Sequence, residues 1–213
     1  VVLYFRKELC RMAHDWFKTF TSDSPTADTR LAWYVIIGTV PVVMVGGLFH
    51  DFIQNALRDT TGVIIVTTVL FGLLLGIAYS KGKRQYNEYA LTMTGALLIG
   101  IAQAIALIPG TSRSGITITM ALCLGLTGAG AARFSFLLSI PVIVLAGGYK
   151  LLDALGSSGS ANWYALGTGA LLAGIIAYLC IYYLLKLVHR IGMWPFAGYR
   201  LALGAAILGF LMF

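Results

Sequence analysis

Charge is what this sequence has least of. Of 213 residues only 11% are charged and eight are acidic, where a water-soluble domain carries about 25% charged residues. That scarcity excludes the soluble globular classes. Three cysteines, Cys10, Cys123 and Cys180, stand far apart, with no CxxC and no cysteine–histidine group at metal spacing. A zinc or disulfide scaffold is thereby excluded, and the cysteines read as small buried apolar residues. The net charge of +7 does not indicate nucleic acid as a partner, because the basic residues are scattered over short connections and form no continuous patch. The first residues, "VVLYFRKEL", carry neither the basic start nor the cleavage site of a signal peptide. They read as the last turns of a membrane helix entering a basic loop, so the chain is expected to be a fragment of a longer protein.

What the sequence has in excess is hydrocarbon. Hydrophobic residues make up 59%, with 25 glycines and 11 tyrosines, a composition that suits closely packed membrane helices with aromatic ends. The expected fold is an all-α polytopic membrane protein, a single helical bundle over 1–213. Spans of about 20 apolar residues are predicted at Leu31–Phe49, Gly62–Tyr79, Leu91–Ile108, Gly115–Ala131, Phe134–Leu152, Trp163–Val188 and Phe196–Phe213, after a stub Val1–Phe5. Residues 6–30 are the longest polar piece, and "TSDSPTADT" within it is turn-rich and expected to be mobile. Two runs echo one another, "TVPVVMVGG" (39–47) and "SIPVIVLAGG" (139–148), and chance similarity accounts for them.

Lysine and arginine counts set the orientation. The connections 6–30, 80–90 and 186–195, with Arg133, hold eleven; the alternate ones, with Arg113, hold three. The first group is placed in the cytoplasm, and Arg133 is taken as a topology charge. The segments 91–108 and 115–131 then leave the cytoplasmic side and return to it, either as two full spans or as a re-entrant hairpin over 91–131 with its apex at 109–117. The glycine- and threonine-rich second arm favours the hairpin.

That apex, "IPGTSRSGIT" (108–117), carries the chemistry. Pro109-Gly110 breaks the incoming helix, Ser112 or Ser114 caps a new one, and the new N-terminus offers free N–H groups and partial positive charge. Arg113 adds a planar fork for phosphate oxygens, and Thr117 follows Ser114 at a spacing that puts both hydroxyls on one face. The alternative is a structural turn with Arg113 snorkelling to headgroups, which leaves two flanking serines and a threonine one turn on without a purpose. The candidate site is therefore Arg113, Ser112, Ser114 and Thr117, with Gly110, Thr111 and Gly115 in the phosphate-binding backbone. The acidic residues lie in loops or at span ends, so no metal ligand, nucleophile or base is assigned. His50-Asp51, at a span end, is a candidate polar end of the pocket, although an interfacial histidine with no catalytic duty is the commoner case.

These residues resemble the undecaprenyl-diphosphate phosphatase family, also called bacitracin-resistance proteins. Its signature P-G-x-S-R-S-x-x-T is matched at every fixed position from Pro109 to Thr117, and "GIAQAIALIPG", "RFSFLLSIP" and "FAGYR" match its flanks. The resemblance implies a multi-pass bacterial inner-membrane enzyme of inverted-repeat fold. Its activity would hydrolyse undecaprenyl diphosphate to undecaprenyl phosphate and inorganic phosphate toward the periplasm, recycling the lipid carrier of cell-wall synthesis. It further implies a divalent cation, Mg or Ca, whose ligands and catalytic histidine belong to a first re-entrant hairpin upstream of Val1, so this chain alone is expected to be inactive. A polyprenyl diphosphate and the bilayer are the expected partners, with room for a homodimer. The rival function is a transporter or flippase for an anionic lipid or solute, since transporters also aim broken helices at anions.

Overall fold

A computed structural model describes residues 1–19, 26–49, 61–156 and 163–212. The helices are α1 (Val2–Lys18), α2 (Ala27–Leu48), α3 (Thr61–Lys81), α4 (Met93–Ile105), α5 (Arg113–Cys123), α6 (Gly128–Gly156), α7 (Trp163–Ile191) and α8 (Trp194–Met212), with a 3-10 turn at Glu88–Ala90. Among the described residues α2, α3, α6 over Gly128–Leu152, and α7 are long and apolar enough to cross a membrane. In hydrocarbon a helix satisfies all its own backbone groups, and the chain is a polytopic all-α membrane protein.

Small residues set the packing, as expected where lipid tails remove the hydrophobic drive between helices. At the crossing of α2 and α4 a Cβ on Gly100 would sit 2.8 Å from Gly38 Cα, so the two backbones touch. Gly72 and Gly76 do the same for α3 against α8: a Cβ on Gly72 would lie 3.0 Å from Arg200 Cβ, and one on Gly76 3.6 Å from Ala197 Cβ. The interior is filled by Ala96 and Ile99 of α4, Ala121 and Leu122 of α5, and Phe134, Leu137 and Leu138 of α6. Pro41 and Pro141 lie inside α2 and α6; the residues that follow them, Val42 and Val142, meet around Ala104, so the two echoing runs converge in space.

Several boundaries differ from expectation, each for a physical reason. The stub 1–5 and the start of the polar piece form one amphipathic helix, α1, which buries Phe5 and Met12 and sets Phe5 against Phe136. Residues 21–25 of the turn-rich stretch lie outside the described residues; Thr26 caps α2, its hydroxyl accepting from Thr29 N at 3.2 Å. The run expected as one span over 115–131 is cut at 124–127, and α6 starts at Gly128 rather than Phe134. The cut is held from outside: Gln85 N donates to Gly125 O at 2.9 Å and Thr127 N to Tyr86 O at 2.7 Å. The three cysteines are exposed rather than buried; Cys180 stands in α7, long and apolar enough to cross a membrane, where an apolar residue need not face inward.

Arg133 is more than a topology charge. Its Nη2 donates to Glu8 Oε1 at 2.6 Å, and its Nε lies 3.0 Å from Glu88 Oε1, tying α1, the 3-10 turn and α6 together. Glu88 is only 5% exposed although it lies, as expected, in a connection, whereas Glu8 stands inside α1 rather than in a loop. Glu88→Ala is expected to lower stability by about 1–3 kcal/mol, below the full effect of breaking a buried pair because Glu8 remains. Thermal unfolding in detergent reads this, and an unchanged midpoint would remove the pair from the account of the fold. At the same end Lys83, Arg84 and His189 line one cavity with Thr127 and Gly128, so basic connections far apart in sequence share one face of the bundle.

Candidate anion-binding site

The helices flanking the 106–112 break are short. At about 1.5 Å per residue, the 13 residues of α4 and 11 of α5 reach about 20 and 16 Å, against a hydrocarbon core of about 30 Å. The turn between them is built as the residue types require. Gly110 has φ +83°, and a Cβ there would fall on Thr67 Oγ1 and 2.6 Å from Ile64 O. Thr67 Oγ1 donates to Pro109 O at 2.7 Å, Thr68 Oγ1 to Gly110 O at 3.2 Å, and Arg200 Nη2 to Gly110 O at 2.8 Å. Two helices, α3 and α8, therefore hold the carbonyls that a broken helix exposes.

Ser112 is the N-cap of α5, at φ 63° and ψ 109°, a backbone setting uncommon for a residue with a Cβ. Its Oγ accepts from Gly115 N at 3.3 Å, and Ile116 N bonds Ser112 O at 3.1 Å. The N–H groups of Arg113 and Ser114 are left without partners among the described residues, as the first groups of a helix are. Beside this first turn lies a cavity of about 540 Å³ lined by Gly110, Ser112, Ser114, Gly115, Thr68 and Arg200 on its polar side and by Ile64, Leu75, Ile118, Leu184, Phe196 and Leu203 on its apolar side.

The structure brings four expected residues, Gly110, Ser112, Ser114 and Gly115, to this cavity. Arg113 occupies the first position of α5, half-buried and beside the lining; its guanidinium has neither a hydrogen bond nor an ion pair among the described residues. Thr117 lies behind the first turn, fully buried. Its hydroxyl bonds Arg113 O at 3.0 Å and Ser114 O at 3.2 Å and shares a 2.7 Å contact with Ser135 Oγ. Thr111 is enclosed with no partner for its hydroxyl, as is the Gln103 amide in the last turn of α4. His50-Asp51 falls outside the described residues.

Arg200 was not foreseen as a site residue. It stands in α8, is 9% exposed, and lines the cavity. The signal in sequence was an arginine inside an apolar span, which by itself marks a functional site, but its distance from the apex in the chain hid the association.

Hydroxyls, free N–H groups and guanidinium stand on one wall and hydrocarbon on the other, an arrangement with the chemistry to take an anion beside an apolar group. The donor set contains no carboxylate lining the cavity, and no group of three or more His, Cys, Asp or Glu side chains gathers among the described residues. It fits an anion and does not fit a divalent cation held by this wall. The comparisons agree with that class. The family described as "Bacitracin resistance protein BacA" matches residues 1–206, and the chain belongs to it. It is 54% identical over 207 residues to the undecaprenyl-diphosphatase of Nitrosococcus oceani, covering 97% of this chain and 78% of that one. It is 49% identical over 211 residues to undecaprenyl-diphosphatase 2 of Stutzerimonas stutzeri, covering 98% and 78%. To the undecaprenyl-diphosphatase of Thioalkalivibrio sulfidiphilus it is 50% identical over 209 residues, again covering 98% and 78%.

Proposed function

We propose that the protein to which this chain belongs hydrolyses undecaprenyl diphosphate to undecaprenyl phosphate and inorganic phosphate, this chain supplying the phosphate-binding end of the site in the cavity at the α5 N-terminus. The observation that carries this is the meeting of Gly110, Ser112, Ser114 and Gly115 with Arg200 in one cavity whose other wall is apolar, in a member of a family whose relatives are named for this activity. The polar wall takes the diphosphate and the apolar wall the start of the polyprenyl chain.

Roles follow from the geometry. The Arg113 and Ser114 N–H groups and the Ser112 and Ser114 hydroxyls bind phosphate oxygens at the positive end of the α5 dipole. The unpaired Arg113 guanidinium swings onto the transferring phosphorus and stabilises the charge that grows as the anhydride bond breaks. Thr117 positions these groups by pinning the first turn to Ser135. Gly110, Thr111 and Gly115 shape the backbone around the anion. The divalent cation implied by the family resemblance has no carboxylate ligand in this wall.

The short α4 and α5 support a re-entrant hairpin whose apex stays within the membrane. The basic residues gathered at the opposite end of the bundle support a cytoplasmic face there and an apex leaning toward the periplasm. The test is direct: the encoded protein in detergent, given undecaprenyl diphosphate, is expected to release one phosphate per lipid and leave the monophosphate. Passage of intact lipid diphosphate across proteoliposomes, with no phosphate released, would establish the transporter instead.

A further inference from the structure

We propose that the cavity of about 500 Å³ at the opposite end of the bundle from the α5 apex is a second binding site, one that takes a phosphate group. Its wall is assembled from three connections. Lys83 and Arg84 follow α3, Thr127 and Gly128 open α6, and His189 lies in the last turn of α7. The two cavities share no lining residue, and Thr68 of the first and Tyr79 of the second stand eleven residues apart on α3, about 16 Å along its axis. Gly128 lets the three elements close together: a Cβ there would lie 3.4 Å from Val188 Cγ1 and 3.7 Å from Tyr79 Cε2. Gly192, at φ +73°, brings the α7–α8 turn against the Tyr79 hydroxyl, which fixes that ring.

Arg84 is stacked on the ring so fixed, its guanidinium carbon 4.6 Å from the centre. Stacking occupies the face of the guanidinium and leaves its edge, where the N–H donors lie, free for a planar pair of oxygens. No hydrogen bond or ion pair of the described residues takes that edge, nor the side chains of Lys83 and His189. The backbone at Arg84 has φ 50°, uncommon for a residue with a Cβ, and Gln85 N and Tyr86 N hold it by bonding Gly125 O at 2.9 and 3.1 Å. Glu88 stands by the start of α6 as well, against Gly130, but its Oε1 is 3.0 Å from Arg133 Nε, and no carboxylate lines the cavity. Like charges gathered in a hollow repel one another until an anion enters. Topology asks only that a connection be basic; it does not ask that two connections close on one cavity beside a helix start. There Thr127 Oγ1 accepts from Gly130 N at 3.1 Å, while the N–H groups of Gly128 and Ala129 have no partner among the described residues. Ala129 and Val188 are the aliphatic residues of the lining, so the occupant is a compact polar anion, and a lipid would place its headgroup here rather than its chain. The ligand class is a phosphate group, carried on an acidic phospholipid or free.

Two probes of the encoded protein in neutral detergent separate these sources: bound phosphatidylglycerol, counted by native mass spectrometry, and inorganic phosphate, titrated by calorimetry. The α5 site takes the same chemical group, so each reading is the difference between a variant and the parent. Lys83→Gln/Arg84→Gln is expected to weaken the ligand of this cavity about 10- to 100-fold, the worth of a charged hydrogen bond. Its melting temperature and its phosphate release from undecaprenyl diphosphate are expected to stay at the parent's level. A loss for phosphatidylglycerol alone makes this a headgroup site, a loss for inorganic phosphate alone a site for the free anion, and a loss for both a site that reads the phosphate itself. Arg6→Gln/Lys7→Gln is the control. These exposed residues of α1 adjoin Glu8, which meets Arg133 at the same end of the bundle, and they lie outside the cavity. The control removes the same charge and is expected to stay within about twofold of the parent. No loss of either ligand in Lys83→Gln/Arg84→Gln, or an equal loss in the control, overturns the proposal, the second by making the attraction a property of the whole basic face. Should the double variant not fold, Lys83→Gln alone decides: weaker binding at an unchanged melting temperature supports the site, and parent-level binding of both ligands overturns it.

Discussion

Arg113→Ala is expected to lower phosphate release from undecaprenyl diphosphate by about 10²- to 10³-fold, the usual loss when a donor aimed at developing charge is removed. Its melting temperature should stay the same or rise. The two halves of this expectation come from one observation. Arg113 is half-buried at the start of α5 and meets no acid or carbonyl of the described residues, so it contributes desolvation cost to the fold and no compensating contact. A residue kept against stability is kept for function. The helix itself does not need it, because the N-cap bond from Gly115 N to Ser112 Oγ and the back-bonding of Thr117 are made without its side chain. A fall in activity matched by a fall in melting temperature would show that Arg113 holds the fold, and the clamp role would then be wrong.

The long spans were legible because hydrocarbon demands one thing of a helix, an unbroken apolar run, and α2, α3, α6 and α7 have it. The apex was legible for a local reason: Pro109-Gly110 stops a helix and Ser112 starts one, and both events lie within a few residues. Other features rest on contacts that local pattern does not contain. The cut at 124–127 depends on pairing with Gln85 and Tyr86, and a Gly at φ +88° within a glycine-rich run gives no warning of it. In α1 the apolar face is narrow, with Phe5 and Met12 seven apart; counting apolar run length overlooks a helix whose other faces are polar. Arg133 read as an isolated charge until Glu8 and Glu88, distant in the chain, were placed against it. Arg200 is the same lesson at the site: the turn it braces was plain in the sequence, and the brace was not.

Gly110→Ala is expected to destabilise the protein by about 2–4 kcal/mol, combining the strain of a left-handed residue with overpacking, and to abolish phosphate release with it. At φ +83° any Cβ is strained, and here it would also fall on Thr67 Oγ1 and within 2.8 Å of Ile64 Cα. Those are backbone and backbone-tethered atoms of α3, so the turn or the helix must move. Either movement pulls on the three bonds that hold the apex, from Thr67 to Pro109 O and from Thr68 and Arg200 to Gly110 O. The control is the other glycine of the apex. A Cβ on Gly115 would meet Ser112 Oγ at 3.2 Å and Arg200 Nη1 at 3.4 Å, side-chain atoms that yield by a few tenths of an ångström. Gly115→Ala should therefore keep the melting temperature while weakening pyrophosphate binding, because the added methyl stands between the cap and the guanidinium where the anion belongs. Thermal unfolding and pyrophosphate titration of the two variants separate the cases. Equal melting temperatures in Gly110→Ala and the parent would mean that the turn adapts, and that the threonines of α3 do not hold the apex as the geometry requires.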